Sequence, residues 1–144
     1  MNQLIKNSKI VPLITIAAGA AGSSDVNSSV IDFAGYEGAL IIVSLGPIVT
    51  GAATSVKVQG GATSSPTTDI LGTSQTITDD MDNTVVYIDI RRPLLRYARI
   101  VFGRATQNST VAAVAVLYGS RNSPVTQASG VVGEVHVSPA AGTA

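Results

Sequence analysis

The chain has 144 residues, of which 45% are apolar and 12% are charged, and its nine basic and nine acidic side chains cancel. The charged fraction is half the usual share of about 25%, which argues against a disordered chain or a basic nucleic-acid-binding arm. Zero net charge also removes long-range attraction to DNA, RNA or anionic lipid. Valine, isoleucine and threonine supply 45 of the residues, and these β-branched types favour strands over helices. The absence of cysteine excludes disulfides and thiolate metal sites.

The first segment predicts either an arm or a secretion signal. Two lysines precede the apolar stretch Ile10–Ala18, whose last residues lead into Ala18–Ala20, a run of small residues that resembles a signal cleavage site. Pro12 and Thr15 interrupt the stretch, and it is shorter than the ~20 residues that a membrane-spanning helix needs. We therefore expect a retained N-terminal arm over residues 1–9 and no contact with a membrane.

The middle of the chain predicts a single all-β domain over residues 10–120. Eight short segments rich in β-branched residues lie between clusters of Gly, Pro, Ser and Asn, and none has the apolar period of a long helix. They predict an antiparallel β-sandwich, most simply an eight-stranded jelly roll, with a seven- or nine-stranded sandwich of another topology as the alternative. The predicted strands are Ile10–Ala17, Val26–Phe33, Ala39–Leu45, Thr54–Gln59, Ile70–Ile77, Thr84–Ile90, Tyr97–Gly103 and Val111–Tyr118.

Two kinds of apolar pattern distinguish these strands. In Val85–Ile90, apolar residues alternate with more polar ones, which predicts one buried and one exposed face. Ala39–Val43 and Val111–Leu117 are apolar at every position. Such runs are expected of a central strand covered on both faces, or of a strand whose outer face meets a neighbouring molecule.

The last part of the chain predicts a C-terminal arm over residues 121–144. It is rich in Ser, Pro, Gly and Ala, with one β-like piece, Val131–Val137. A tail of this composition is ordered only when it packs on the edge of its own domain or on another subunit. We therefore expect the chain to assemble with copies of itself, as a dimer or a trimer.

No catalytic, cofactor-binding or metal-binding residues are predicted. The single histidine, His136, lies in the C-terminal arm, so a Ser-His-Asp site would need a pocket that the sequence does not indicate. Asp79–Asn83 offers several oxygen ligands, but it lacks the glycine and glutamate of a helix-loop-helix calcium loop and reads better as a turn. Asp79 and Asp89 could form a glycosidase pair only within an assumed fold, and the chain has no tryptophan to stack on a sugar.

Arginine gives the strongest local signal, because five of the nine basic residues fall within fourteen positions that follow an acidic stretch. Their guanidinium groups could dock on carboxylates or carbonyls of a partner protein. The alternative is pairing within the chain, for instance between Asp89 and Arg99 across adjacent strands. The predicted protein-contact residues are these arginines and two lysines of the N-terminal segment: Arg91, Arg92, Arg96, Arg99, Arg104, Lys6 and Lys9.

Several short motifs between Val26 and Val125 resemble the small structural proteins of tailed phages. An Asp-Phe-x-Gly-Tyr corner leads into an apolar strand that ends in Leu-Gly, and a Pro followed by Arg-Tyr-x-Arg precedes the penultimate strand. The segments that carry the resemblance are Val30–Phe33, Gly35–Ile41, Val43–Gly46, Tyr87–Ile90, Arg96–Arg99 and Ala115–Gly119.

The resemblance implies a head decoration or cement protein, a jelly-roll-like oligomer that sits on the outer surface of a capsid and clamps neighbouring subunits of the major capsid protein. It implies a non-enzymatic role with no cofactor and no nucleic-acid partner. The alternative from another class is a secreted or surface-exposed β-sandwich that binds a carbohydrate or a receptor, which the signal-like N-terminus favours. A hydrolase on a sandwich scaffold is a third possibility.

Overall fold

The computed structural model describes residues 3–15, 24–104, 109–136 and 140–142. In these residues the chain forms antiparallel strands, one short helix and a single 3-10 turn over Asp79–Met81. The elements are α1 (Leu4–Asn7), β1 (Lys9–Ile14), β2 (Val26–Asn27), β3 (Ile31–Asp32), β4 (Gly38–Ile48), β5 (Thr54–Gly61), β6 (Thr68–Asp69), β7 (Gln75–Ile77), β8 (Val85–Arg91), β9 (Tyr97–Arg104) and β10 (Ser109–Tyr118).

The strands form two sheets that face each other across one core. The first sheet has the order β1-β10-β4-β8. In the second sheet β9 pairs with β5, while β2 and β3 flank β9 and β6 and β7 flank β5. When β2 with β3, and β6 with β7, are each counted as one strand, the chain has eight strands that pass between the two sheets. The first of these strands lies beside the last. The predicted antiparallel sandwich is confirmed, and this winding is compatible with the predicted jelly roll.

The core lies between the two sheets because each central strand turns alternate side chains inward. Ile41 and Val43 on β4 belong to the same core cluster as Val56 and Val58 on β5, and all four are fully buried. Phe102 on β9 is the largest side chain that the core encloses completely. This packing fixes the distance between the sheets and therefore the positions of the loops at both ends.

Two predicted strands are interrupted. Within Val26–Phe33 the pairing with β9 becomes irregular at Ser28. The Ser28 amide still donates to the Ile100 carbonyl at 3.0 Å, but the Ile100 amide donates to the Ser28 hydroxyl at 2.9 Å instead of to a backbone carbonyl. Within Ile70–Ile77 only Gln75–Ile77 forms a strand, because the chain turns at Gly72, whose φ of 79° lies in the left-handed region. A hydroxyl that replaces a backbone acceptor and a positive φ value do not change the pattern of apolar residues, so that pattern could not predict these two features.

The described parts of the two predicted arms pack against each other through Gln127. The Gln127 side-chain nitrogen donates to the carbonyls of Ile5 (3.1 Å) and Ser8 (2.9 Å). Its side-chain oxygen accepts the Ile10 amide at 2.9 Å, at the start of β1. The division of the chain into two arms and a sandwich stays a prediction.

Three further predictions from the sequence concern the C-terminal arm, the signal-like segment and membrane-spanning helices. Residues 131–136 form no strand, so the expected β-like piece is absent there, and Val137 lies outside the described residues. Ile16, Ala17 and the signal-like Ala18–Ala20 also lie outside them. In the part of the chain that the structure describes, no helix has the length and apolar character needed to cross a membrane.

Candidate partner-binding end of the sandwich

The loop between β8 and β9, residues 92–96, lies at one end of the sandwich beside two other segments. The Arg92 amide donates to the Glu37 carbonyl at 2.8 Å, and the Phe33 amide donates to the Arg96 carbonyl at 2.9 Å. The Glu37 amide in turn donates to the carbonyl of Tyr118, the last residue of β10, at 2.9 Å. A cleft of about 1020 Å³ opens between these segments. We call this region the arginine end.

Arg96 is held by a two-pronged ion pair. Its Nε and Nη2 atoms donate to the two carboxylate oxygens of Asp32, each at 2.9 Å. The guanidinium also lies 4.9 Å from the ring centre of Tyr97, within cation–π range. The hydrogen bond from Arg96 lowers the pKa of Asp32 below its ordinary value. The pair therefore keeps Asp32 ionised and fixes the direction in which Arg96 points.

Arg91 and Arg92 share one carboxylate. Arg91 donates twice to Glu37 Oε1 at 3.1 Å, and Arg92 Nε lies 3.9 Å from the same oxygen. The backbone of Arg92 has a φ of 52°, in the left-handed region, which costs a residue with a side chain about 1–2 kcal/mol. A strained residue persists only where its surroundings hold it, and such positions cluster at functional sites.

The other predicted contact residues are distributed over the molecule. Arg99 projects from the outer face of the second sheet, where it donates to Gln59 at 2.8 and 3.0 Å. Arg104 ends β9 at the opposite end of the sandwich and donates to the Ser24 carbonyl at 3.1 Å. The suggested pairing of Asp89 with Arg99 is wrong, because β8 and β9 belong to different sheets.

The two predicted lysines belong to the N-terminal segment, and Lys9 lies near the arginine end. Lys9 opens β1 opposite Leu117 and contributes to the lowered pKa of Asp32. Lys6 belongs to α1, and its carbonyl accepts the Val125 amide at 3.0 Å. That these lysines and the arginines contact a partner stays a prediction.

Arg121 is a residue of this end that sequence reasoning missed. Its amide donates to the Gly35 carbonyl at 2.9 Å, and the residue lines the same cleft as Arg92 and Arg96. It lies 25 positions after Arg96 in the chain, so only the pairing of β10 with β4 brings it here. The feature of the sequence that could have identified Arg121 is a basic residue three positions after the last strand.

An apolar groove of about 580 Å³ lies on the other side of the same loop. Leu95 and Ile70 close over Gly60, where a Cβ atom would come within 2.9 Å of each side chain. Leu71 and Leu94, which also line the groove, are fully exposed. The loop therefore lines both the cleft and the groove, and it brings arginines and exposed leucines together at this end.

Tyr118 crosses the outer face of the first sheet at the edge of this end. Its hydroxyl donates to Asp89 on β8 at 2.7 Å, although β4 lies between the two strands. The ring can pass because the intervening residue is Gly38, where a Cβ atom would lie 2.6 Å from the tyrosine oxygen. Burial, assisted by the hydrogen bond to Asp89, raises the pKa of Tyr118 to about 12.

The raised pKa of Tyr118 predicts a loss of stability in alkali. The folded state binds the phenolic proton more tightly than the unfolded state, whose pKa is about 10. The stabilisation is therefore complete below pH 10 and disappears as the pH rises toward 12. Urea unfolding at pH 9 and pH 11 should show that the free-energy advantage of the native chain over Tyr118→Phe shrinks between the two values. An unchanged advantage would contradict the assignment.

The acidic turn and the histidine have local partners. Asp82 accepts the Ile48 amide and Asp79 accepts the Gly51 amide, each at 2.6 Å, which supports the interpretation of this segment as a turn that holds the corner between β4 and β5. His136 is exposed and lies 3.1 Å from Glu134. Within the described ranges, no group of three or more His, Asp or Glu side chains is placed to hold a metal ion.

Comparisons with known proteins give only distant structural likenesses. No protein-family model matches the chain, and no curated protein matches it. Among solved structures, the crystal structure of the SPBc2 prophage-derived protein YomS is similar with a TM-score of 0.43 at 12% sequence identity, over 82% of this chain and 100% of that one.

Proposed function

We propose that this protein is a structural component of a tailed-phage virion, which decorates the outer surface of the capsid and cements neighbouring subunits of the major capsid protein. The motifs between Val26 and Val125 that resemble phage decoration proteins support this proposal. A stiff sandwich with one binding end suits such a role, because the same weak contact is repeated at many lattice positions and the contacts add through multivalency.

The observation that carries the proposal is the combination of exposed arginines and exposed leucines at one end. Arg91, Arg92 and Arg96 each face a carboxylate, yet their side chains remain between 55% and 78% exposed. Leu71 and Leu94 beside them are fully exposed. Arginine and large apolar side chains are enriched where proteins bind each other, and guanidinium forks fit carboxylates and carbonyls. A capsid loop with both acidic and apolar side chains would satisfy both features.

Electron cryomicroscopy of particles tests this function directly. Phage heads that lack the protein would be incubated with the purified full-length chain and imaged, with untreated heads as the control. We expect ordered density on the outer surface at junctions between capsid subunits, with the loop of residues 92–96 turned toward the shell. Density inside the head or on the tail, or saturable binding to a glycan array without binding to heads, would contradict the proposal.

The strained backbone of Arg92 allows stability and binding to be separated. Arg92→Gly should raise the free energy of unfolding by about 0.5–1 kcal/mol, because glycine accepts a positive φ without strain but loses more chain entropy. The same variant should bind heads less tightly than the native chain, since it lacks the guanidinium. Urea unfolding and a head-binding isotherm measure the two effects.

Arg92→Ala is the matched control for this prediction. It removes the same charged group but keeps a side chain at the strained position, so it should lose binding without gaining stability. If both variants bind heads as tightly as the native chain, Arg92 does not contact the capsid.

A further inference from the structure

The outer face of the first sheet is largely apolar on β1, β10 and β4 and mixed on β8. Cross-strand register places Ile10, Val116 and Leu40 in one row and Val114, Ile42 and Tyr87 in the next. These six residues define what we call the apolar face. The four at its centre remain partly exposed, and Tyr87 is 67% exposed at the edge. The charges of this face lie along its β8 edge. Asp89 stands opposite Leu40 in the first row, where its carboxylate accepts the Tyr118 hydroxyl, and Arg91 stands opposite Gly38.

The outer face of the second sheet has the opposite character. There Ser55, Lys57 and Gln59 alternate along β5, and Arg99 lies opposite Gln59 on β9. Lys57 forms an ion pair with Asp69 at 2.8 Å. A sandwich that functioned alone would present polar residues on both outer faces, as antiparallel sheets with a wet side do. The contrast therefore indicates that the apolar face is covered in the working protein.

We propose that the apolar face is an interface with a second copy of this chain. A face whose charges lie along one edge offers little to a charged partner over most of its area, so its complement is another mainly apolar face. The net charge of zero means that two copies do not repel each other. Pleated rows of β-branched residues are also self-complementary, because two such faces stack about 10 Å apart in the same way as the two sheets of one sandwich.

The size of the sheet sets the area that such a contact could bury. Four strands about 4.8 Å apart, each contributing about seven residues at about 3.3 Å per residue, cover about 440 Å² in projection. Corrugation by the side chains makes the accessible surface larger than its projection. Stable interfaces begin at about 600 Å² per partner. Two copies joined in this way would each keep Arg92 and Arg96 free for the capsid, which deepens the proposed function.

Sedimentation of the full-length chain tests the proposal. The native protein should sediment as a dimer at micromolar concentration, and Ile42→Asp should weaken the dimer by at least about a hundredfold, because each copy would bury an unpaired charge. Lys57→Asp on the polar outer face is the matched control and should leave the dimer intact. A monomeric native protein, or a dimer that survives Ile42→Asp, would overturn the proposal.

A cross-linking measurement keeps the test informative if Ile42→Asp fails to fold. The native chain has no cysteine, so single replacements can be joined by a short bis-maleimide. Ile42→Cys should give covalent dimers in solution, and Lys57→Cys at the same concentration should not. If Ile42→Cys remains uncross-linked and the native chain is monomeric but still binds heads, self-association through this face is refuted while the capsid function stands.

Discussion

Replacing Arg91, Arg92 and Arg96 together by alanine is expected to weaken binding to phage heads by about a hundredfold. Each guanidinium would lose charge-assisted hydrogen bonds to the partner, which contribute about 1.5–3 kcal/mol apiece but do not add fully. Their ion pairs with Asp32 and Glu37 are exposed, and such pairs contribute only about 0–1 kcal/mol to folding. Copies per head, measured by quantitative gel across a titration, would report the loss.

Arg104→Ala is the matched control for this experiment. Arg104 belongs to the same stretch of sequence, but it lies at the opposite end of β9 and donates to a backbone carbonyl. Its replacement should leave binding to heads unchanged. Equal binding by the triple variant and the native chain would exclude the arginine end as the capsid contact, even if the protein is found on the capsid.

Phe102→Ala is expected to lower the free energy of unfolding by about 3–5 kcal/mol, the usual cost of truncating a fully buried phenylalanine. Phe102 is completely buried between the sheets, and its strand β9 pairs with β5 along its whole length. The loss would be a large share of the 5–15 kcal/mol that holds a typical domain together. Urea denaturation followed by circular dichroism gives the value.

Leu71→Ala provides the comparison for this core substitution. Leu71 has a similar apolar side chain, but it is fully exposed, so its truncation should change the free energy of unfolding by less than about 0.5 kcal/mol. If Phe102→Ala cost no more than Leu71→Ala, the two sheets could not pack around Phe102 as described.

The sandwich was predictable because alternation records which side of a strand meets the core. On β8, Val86 and Ile88 are buried while Tyr87 is exposed, as the pattern predicts. The continuous run Ala39–Val43 was compatible with two environments. A strand covered by its own domain and a strand covered by another molecule need the same residues, so the sequence could not distinguish them.

The candidate site was predictable only in part. The sequence identified the arginines as a group, but β9 is eight residues long and spans about 26 Å, which places Arg96 and Arg104 at opposite ends. The carboxylates that orient Arg96 and Arg91 lie 64 and 54 positions away in the chain. Pairings at such separations depend on how the strands wind between the sheets, and local spacing carries no record of that winding.

The meeting of the two chain ends at Gln127 determines where foreign sequences could be attached to this protein. Because residues 120–127 return to the beginning of β1, a domain fused soon after them would emerge beside the arginine end and compete for space with whatever docks there. The turn between β4 and β5, which begins at Val49, lies at the opposite end of the sandwich. A peptide epitope inserted at that turn would point outward, so the molecule offers a display platform at that end.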